Sequence, residues 1–413
     1  MKNLTRTRLG EHIQVRHGYA FQGKYFSDRG KYIVLTPGNF IDAGGFKPKS
    51  GVEKFYSVTP PSEYVLQRGD LVVAMTEQVE GLLGSSALIP VDDTYLHNQR
   101  IGLVILQSDQ VDRGFLYYLF NTTKVRDQIQ ATATGSKIRH TAPSRIEDVV
   151  VDLPPISTQR KIVAILSAYD DLIENNNRRI KMLEEMAQRI YREWFVDFRY
   201  PGHEDVPLVD SELGLIPEGW CEKPLSSLAK IVMGQSPPSS AYNRDREGKP
   251  FHQGVGTFGA HFPVHLVHST AGARLAEQGD ILMSVRAPVG RINVADREMI
   301  LGRGLSGISA QSAPFEFLLF ALRYFFREED VMGNGSIFKS VTKRDVESLP
   351  LVWPGADLAA RFSDSVGPMW RHLYLLTGQR TNLQTTRDLL LLRLISGEID
   401  VTDLDIVLAE TAA

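Results

Sequence analysis

Cysteine is almost absent: Cys221 is the single one in 413 residues. One thiol excludes an internal disulfide and fits a reducing, cytoplasmic setting. Long apolar runs are missing too. None approaches the roughly 18 residues that a bilayer-spanning helix requires, and Met1-Lys2-Asn3-Leu4-Thr5 does not open a secretory signal. No membrane partner is expected. Charge of either sign is not in excess: 46 Lys and Arg against 49 Asp and Glu leave a net charge of −3. A small DNA-binding domain is usually basic, so overall charge announces no nucleic-acid partner, and one has to be argued locally.

Catalytic motifs are also lacking. Gly254-Val255-Gly256-Thr257-Phe258-Gly259 matches a dinucleotide fingerprint, but no apolar strand precedes it and Pro263 spoils a following helix, so a loop is expected. His261, His265 and His268, with His252 nearby, have neither zinc-finger nor helical His-pair spacing, and a loop, not a metal site, is expected. Asp245-Arg246-Glu247-Gly248-Lys249 carries half of a nuclease pattern in a polar, Gly/Pro-rich loop rather than on a strand. Ser340 and Lys343 form an isolated Ser-x-x-Lys without companion motifs. There is no phosphate loop and no Asn-Pro-Pro-Tyr methyltransferase motif. The chain reads as non-catalytic, with no catalytic residue, metal ligand or cofactor of its own.

What is present is a repetition. Ala133 to Pro155 reads ATGSKIRHTAPSRIEDVVVDLPP, and Gly333 to Gly355 reads GNGSIFKSVTKRDVESLPLVWPG. Gly135-Ser136 returns as Gly335-Ser336 and Pro154 as Pro354, a shift of 200 residues that persists through the helical region that follows. Before the motif the shift drifts: Arg68–Met75 matches Gln278–Val285 at 210, and Leu9–Gly18 matches Leu225–Gly234 at 216. Drift means loop insertions in a globular part, whereas a constant shift means a helix whose length is tied to something.

Helix is expected from Ser157, a candidate N-cap after Pro154-Pro155, to about Phe198. Ile162, Leu166, Tyr169, Ile173, Ile180, Leu183, Ala187, Ile190 and Trp194 recur in steps of four and three, the coiled-coil period, with Asn176 in the seam. Phe362, Val366, Met369, Leu373, Leu376, Leu383, Leu390 and Leu394 repeat it, with Arg380 and Arg387 departing. Two such helices in one chain most simply pack on each other. A ~42-residue helix is about 60 Å long, while the linker from Arg199 spans at most ~46 Å, so an antiparallel pair with one globule at each end is expected. In the globules, β-rich runs (KYIVLT, DLVVAM, IGLVIL, DILMSV) are broken by Gly and Pro. One short helix, FLYYLFNTTKVRDQI or FEFLLFALRYFFREE, precedes each motif.

The first motif gathers Lys137, Arg139, His140 and Arg145 with Ser136 and Thr141, and no acid before Glu147. The second holds Lys339, Lys343 and Arg344 with Ser336, Ser340 and Thr342; Arg100 and Arg303 follow the β-rich blocks. Hydroxyls, backbone amides and spaced cations are the groups that hold phosphates. Two similar heads suit a target with two half-sites, as in duplex DNA.

Asp152–Phe198 (DLPPISTQRKIVAILSAYDDLIENNNRRIKMLEEMAQRIYREWFVDF) and Ser211–Trp220 (SELGLIPEGW) resemble the specificity subunits of type I restriction–modification systems, over nearly the whole chain. Pro154, Pro155, Gln159 and Ile162 stand where that family has them, whereas the second copy lacks the second Pro and the Gln. The resemblance implies an α+β chain, with two pseudo-repeated mixed α/β target-recognition domains separated by two long antiparallel coiled-coil helices. Its divisions would be residues 1–155 (first recognition domain), 156–200 (central helix), 201–354 (linker and second recognition domain) and 355–413 (C-terminal helix and tail). It implies a reader of bipartite double-stranded DNA, contacted by Lys137, Arg139, Arg145, Lys339, Lys343, Arg344, Arg100 and Arg303. Two modification subunits would dock near Gln159, Ile162, Trp194 and Phe195, and restriction subunits would join them. S-adenosylmethionine, ATP and Mg would sit on those partners, which would also supply the basic surface that this chain lacks. The alternative is a non-enzymatic coiled-coil scaffold with two protein-binding heads.

Overall fold

The computed structural model describes residues 4–49, 51–78, 81–212, 214–327 and 341–406. Two compact units emerge: residues 1–175 with 380–413, and residues 176–379.

In the first unit, Thr5–Arg8 pairs antiparallel with Val150–Leu153, so the start of the chain is tied to the strand just before the first long helix. Ile13–His17, Ile101–Leu106, Leu71–Ala74 and Ser86–Leu88 form an antiparallel sheet in that order. All four residues of Leu71–Ala74 are buried, as a continuous apolar run inside two layers must be. A second sheet orders Phe26–Ser27, Phe55–Tyr56, Tyr32–Val34 and Tyr95–Leu96, the last pair parallel.

The second unit repeats this wiring. Cys221–Pro224 pairs with Pro350–Trp353. Ala229–Met233, Leu305–Ala310, Ile281–Ser284 and Ile292–Val294 repeat the antiparallel sheet in the same order. Its second sheet again carries one parallel pair, Lys249–His252 with Met299–Leu301. The duplication read from the sequence is therefore a duplication of topology, including the β-rich runs expected to be strands.

Two local expectations are corrected. The helix before the first motif is two helices, Arg113–Phe120 and Thr123–Ala131. Asn121 ends the first because its amide binds Ser86 and the Tyr117 carbonyl. Ser157 is not an N-cap: the long helix is Ile156–Phe195, and the Pro155 carbonyl accepts its first bonds, from Thr158 and Gln159.

The long helices Ile156–Phe195 and Ala356–Ile395 are both 40 residues and start and stop 200 apart, which is the constant shift seen in the sequence. Within each unit they run antiparallel. In the first unit Lys161 Nζ donates to the carbonyls of Thr402 and Leu404 while Asp170 binds Arg387. In the second, Arg179 bonds His372 at 3.0 Å, and further along Trp194 packs edge-on against Phe362. Ile162, Leu166, Ile173, Asn176, Ile180 and Ala187 of the expected seam are buried. Arg387 leaves the apolar pattern for a reason: it pairs at 2.7 Å with Asp170, which also accepts the Tyr118 hydroxyl at 2.6 Å.

Candidate nucleic-acid interface

The motif that opens the repetition is a turn closed on itself. Thr134 and His140 exchange both backbone bonds, at 3.0 and 2.8 Å. Gly135 sits at φ 102°, where a Cβ would lie 2.0 Å from the Ile138 carbonyl oxygen, so only glycine fits. Its role is the turn. Arg139-His140 then pairs with Thr76-Glu77.

This geometry separates the motif's cations. The Arg139 guanidinium donates to Glu77 at 3.1 Å and to the Gln130 carbonyl at 2.8 Å. Glu77 is 2% exposed and also accepts the amides of Gly81, Leu82 and Leu83. Arg145 donates to the Thr132 carbonyl. Both arginines thus build the motif. Lys137 stands exposed at the turn, and its ammonium has no partner among the described residues. His140 Nδ1 lies 3.1 Å from Thr76 Oγ1.

Beside this turn opens a hollow of about 420 Å³ lined by His17, Gly18, Met75, Thr76, Gln99, Arg100, His140 and Thr141. Three strand ends converge here because Gly18 lets the backbone approach: a Cβ would lie 2.3 Å from the Asn98 carbonyl oxygen. Arg100 is exposed and faces amide, imidazole and hydroxyl groups with no carboxylate in the lining. The sequence pointed to Arg100 but missed His17, Thr76 and Gln99, which come from three segments and share no local pattern.

The second unit repeats the close approach, with Gly234 against the Gly302 carbonyl. Arg303 is exposed beside it, its amide bonded to Ser236 Oγ. Lys343 and Arg344 lie exposed on the short helix Lys343–Glu347, capped by Thr342, and Lys343 pairs with Glu347 at 3.2 Å. Lys339, with Ser336 and Ser340, lies outside the described residues.

The four histidines do not gather round a common point. Thr257 Oγ1, His252, His265 and Asp296 form a line with spacings of 2.7, 3.0 and 3.0 Å. His261 faces Glu184, which also holds Arg323, and His268 lies in a strand. Burial pushes His252 down to about 4, so it is neutral. His252 meets Thr257 Oγ1 through Nδ1 and His265 Nδ1 through Nε2, and the other nitrogen of His265 faces the Asp296 carboxylate. Among the described residues no group of three or more His, Cys, Asp or Glu is arranged to hold a metal ion. Gly254–Gly259 is a loop around the turn Val255–Thr257, and Lys249 of the nuclease-like stretch pairs with Glu298.

The residues expected at the docking surface are buried or half-buried within the chain itself. Gln159 is fully buried, donating to the carbonyls of Gln110 and Pro154 and accepting from the Asp112 amide. Ile162 is also fully buried in the first unit's core. Both fasten the helix to its own globule. Phe195 is buried and Trp194 half-buried among the second unit's aromatics, against Phe362. Leu172, Met182, Met186, Leu375, Leu389 and Leu392 are exposed apolar side chains on the long helices.

Twin globules of one topology, each fastened to paired long helices, with an acid-free polar hollow beside the motif in the first, make this a duplicated protein with a candidate binding surface. Comparison with known proteins names the class. The model of the type I restriction modification DNA specificity domain matches residues 1–185. The MjaX type I restriction enzyme specificity subunit of Methanocaldococcus jannaschii is 31% identical over 301 residues, 71% of this chain and 69% of that protein. The MjaIX specificity subunit of the same organism is 25% identical over 324 residues, 73% and 72% of the two chains. The crystal structure of a type I restriction–modification S subunit from M. genitalium shares the fold, with a TM-score of 0.63 and 14% identity over 95% of this chain and 96% of that one. The chain belongs to the type I restriction enzyme specificity subunits, the non-catalytic recognition component of such systems. Among the described residues no helix is long and apolar enough to cross a membrane.

Proposed function

We propose that this chain reads a bipartite double-stranded DNA target in the cytoplasm, one half through each unit. In the first unit, Arg100, Gln99, His17 and His140 offer base-edge donors and acceptors, and Lys137 supplies a phosphate contact. The observation that carries this reading is the carboxylate-free hollow around Arg100, beside a motif that the chain repeats. In the second unit, Arg303, Arg344 and Lys343 are the corresponding cations, with Lys339 added from the repeat.

Two modification subunits dock along the long helices. Support comes from the exposed Met182/Met186 and Leu389/Leu392 pairs, at helical spacings that set each pair on one face. S-adenosylmethionine, and in the full assembly with restriction subunits ATP and Mg, belong to those partners. Partner subunits also supply basic surface, which reconciles DNA binding with a net charge of −3.

The test is an exchange of residues 1–155 for those of a relative, followed by mapping of methylated adenines. One half of the target is expected to change. If both halves change, or neither does, the two-head reading fails; a gel shift without steep salt dependence would favour a protein-binding scaffold.

A further inference from the structure

A second hollow, also of about 420 Å³, adjoins the first and shares Thr76 and Arg100 with it. Its other lining residues include Thr36, Gly38, Asp42, Lys49, Lys54 and Gln78. No repeat and no motif points to it.

The hollow is a built site. Asn39, 2% exposed, accepts from the Thr36 amide at 3.0 Å and hydroxyl at 2.9 Å and donates to the Lys47 carbonyl at 3.2 Å. The Thr36 oxygen then accepts from Lys49 Nζ at 2.9 Å, so one buried amide fixes an ammonium through one hydroxyl. The loop beyond is pinned by buried Arg126, which donates to the carbonyls of Asp42 and Gly81. Lys49 lies directly over Gly38, where a Cβ would come within 2.4 Å of its Nζ. Lys54 stands over the Phe26 ring at 5.8 Å.

Such packing of like charge is unfavourable on its own. Burial, then Lys54 and Lys47, hold the Lys49 ammonium below the usual lysine range. Among the described residues no carboxylate reaches salt-bridge distance of Lys47, Lys49 or Lys54, although Asp42 lines the hollow. Neighbouring cations, one of them fixed by a buried amide, with no carboxylate at ion-pair distance among the described residues, are arranged for an anion from outside.

We propose that this hollow seats a backbone phosphate of the DNA half-site read by the first unit, held by Lys49 and Lys54 with Arg100 bridging to the base-reading hollow. The inference rests on the DNA-reading assignment above. Compact ammonium groups around a fixed hydroxyl suit a phosphate, whereas the planar forks that read guanine in a bidentate manner are absent apart from Arg100.

The test uses the chain assembled with its modification subunits and a duplex carrying the mapped methylation site, titrated with NaCl. The double variant Lys49→Gln/Lys54→Gln is expected to reduce the slope of log K against log salt by about two units. Weakening should be equal on the target and on a duplex altered in one half-site. Gly38→Ala keeps every charge yet displaces the Lys49 ammonium, and should cost about one unit. All variants are expected to unfold at the wild-type temperature. An unchanged slope, while wild type still discriminates its target, overturns the phosphate seat and leaves DNA reading intact. Lost discrimination at one half-site with an unchanged slope also overturns it, because the hollow then reads a base. Failure of the wild-type assembly to discriminate any duplex overturns both.

Discussion

Lys137 and Arg139 stand two residues apart in a stretch that reads as uniformly basic, yet they have different work. Arg139 is consumed by Glu77, a buried carboxylate 62 residues upstream, and no local pattern could reveal that partner. Lys137 extends from a turn that Gly135 makes possible. Removing Arg139 leaves Glu77 with its three backbone donors and the nearby charge of Arg126 but without its ion-pair partner, at a cost of about 1–2 kcal/mol, moderated because the pair is partly open to solvent. Arg139→Ala is therefore expected to lower the unfolding temperature. Lys137→Ala should leave it unchanged and reduce the salt slope of DNA binding by about one unit. Thermal melts and salt titrations of both variants decide, and a reversed pattern would mean that Arg139, not Lys137, is the phosphate contact.

At the scale of elements, what was periodic or repeated was legible and what was assembled from distant segments was not. The seam of the long helices follows its heptad spacing. It even carries Pro368 within Ala356–Ile395, at a cost near 3 kcal/mol that burial of Phe362, Val366, Trp370 and Leu373 around it offsets. The four histidines were visible as a cluster, but Asp296 and Thr257, which turn two of them into a line, were not. That line makes the strand Lys249–His252 sensitive to acid. His252 holds its neutral form down to about 4 when folded, because it is buried, whereas an unfolded histidine titrates near 6.5. Between those values the unfolded chain binds a proton that the folded unit refuses. This contribution to stability is complete above about pH 6.5 and falls away as pH drops toward 4, by up to roughly 3 kcal/mol. His97 in the first unit, likewise pushed down to about 4 by burial, acts with the same sign. Denaturant unfolding of wild type and His252→Gln across pH 4 to 7 should show a shallower acid decline in the variant. Parallel curves would remove His252 from this role.

For the whole molecule, the sequence reads as two copies in tandem, each a globule followed by its helix, and the topology bears out the copies. The compact units do not follow that division, since each takes half of both long helices. The reason is non-local pairing, which no spacing within one copy encodes. The second copy's helix ends inside the first unit: Leu394 and Val401, both 1% exposed, join the core of Leu9, Phe115 and Ile162. Arg387 there balances Asp170, which also holds Tyr118. Removing residues 380–413 would thus strip the first unit, at the opposite end of the sequence. Two fully buried aliphatic side chains contribute roughly 1.5–3 kcal/mol each, and a half-buried carboxylate losing its cation adds to the deficit. Against a typical total of about 5–15 kcal/mol, the first unit should be largely unfolded, while residues 176–379 keep every internal contact. Hydrogen exchange on a chain ending at Gln379 is expected to show loss of protection in Leu71–Ala74 and Ile101–Leu106, with Ile281–Ser284 and Leu305–Ala310 still protected. Protection retained in the first pair of strands, or lost equally in both, would mean that the C-terminal half-helix does not complete the N-terminal unit.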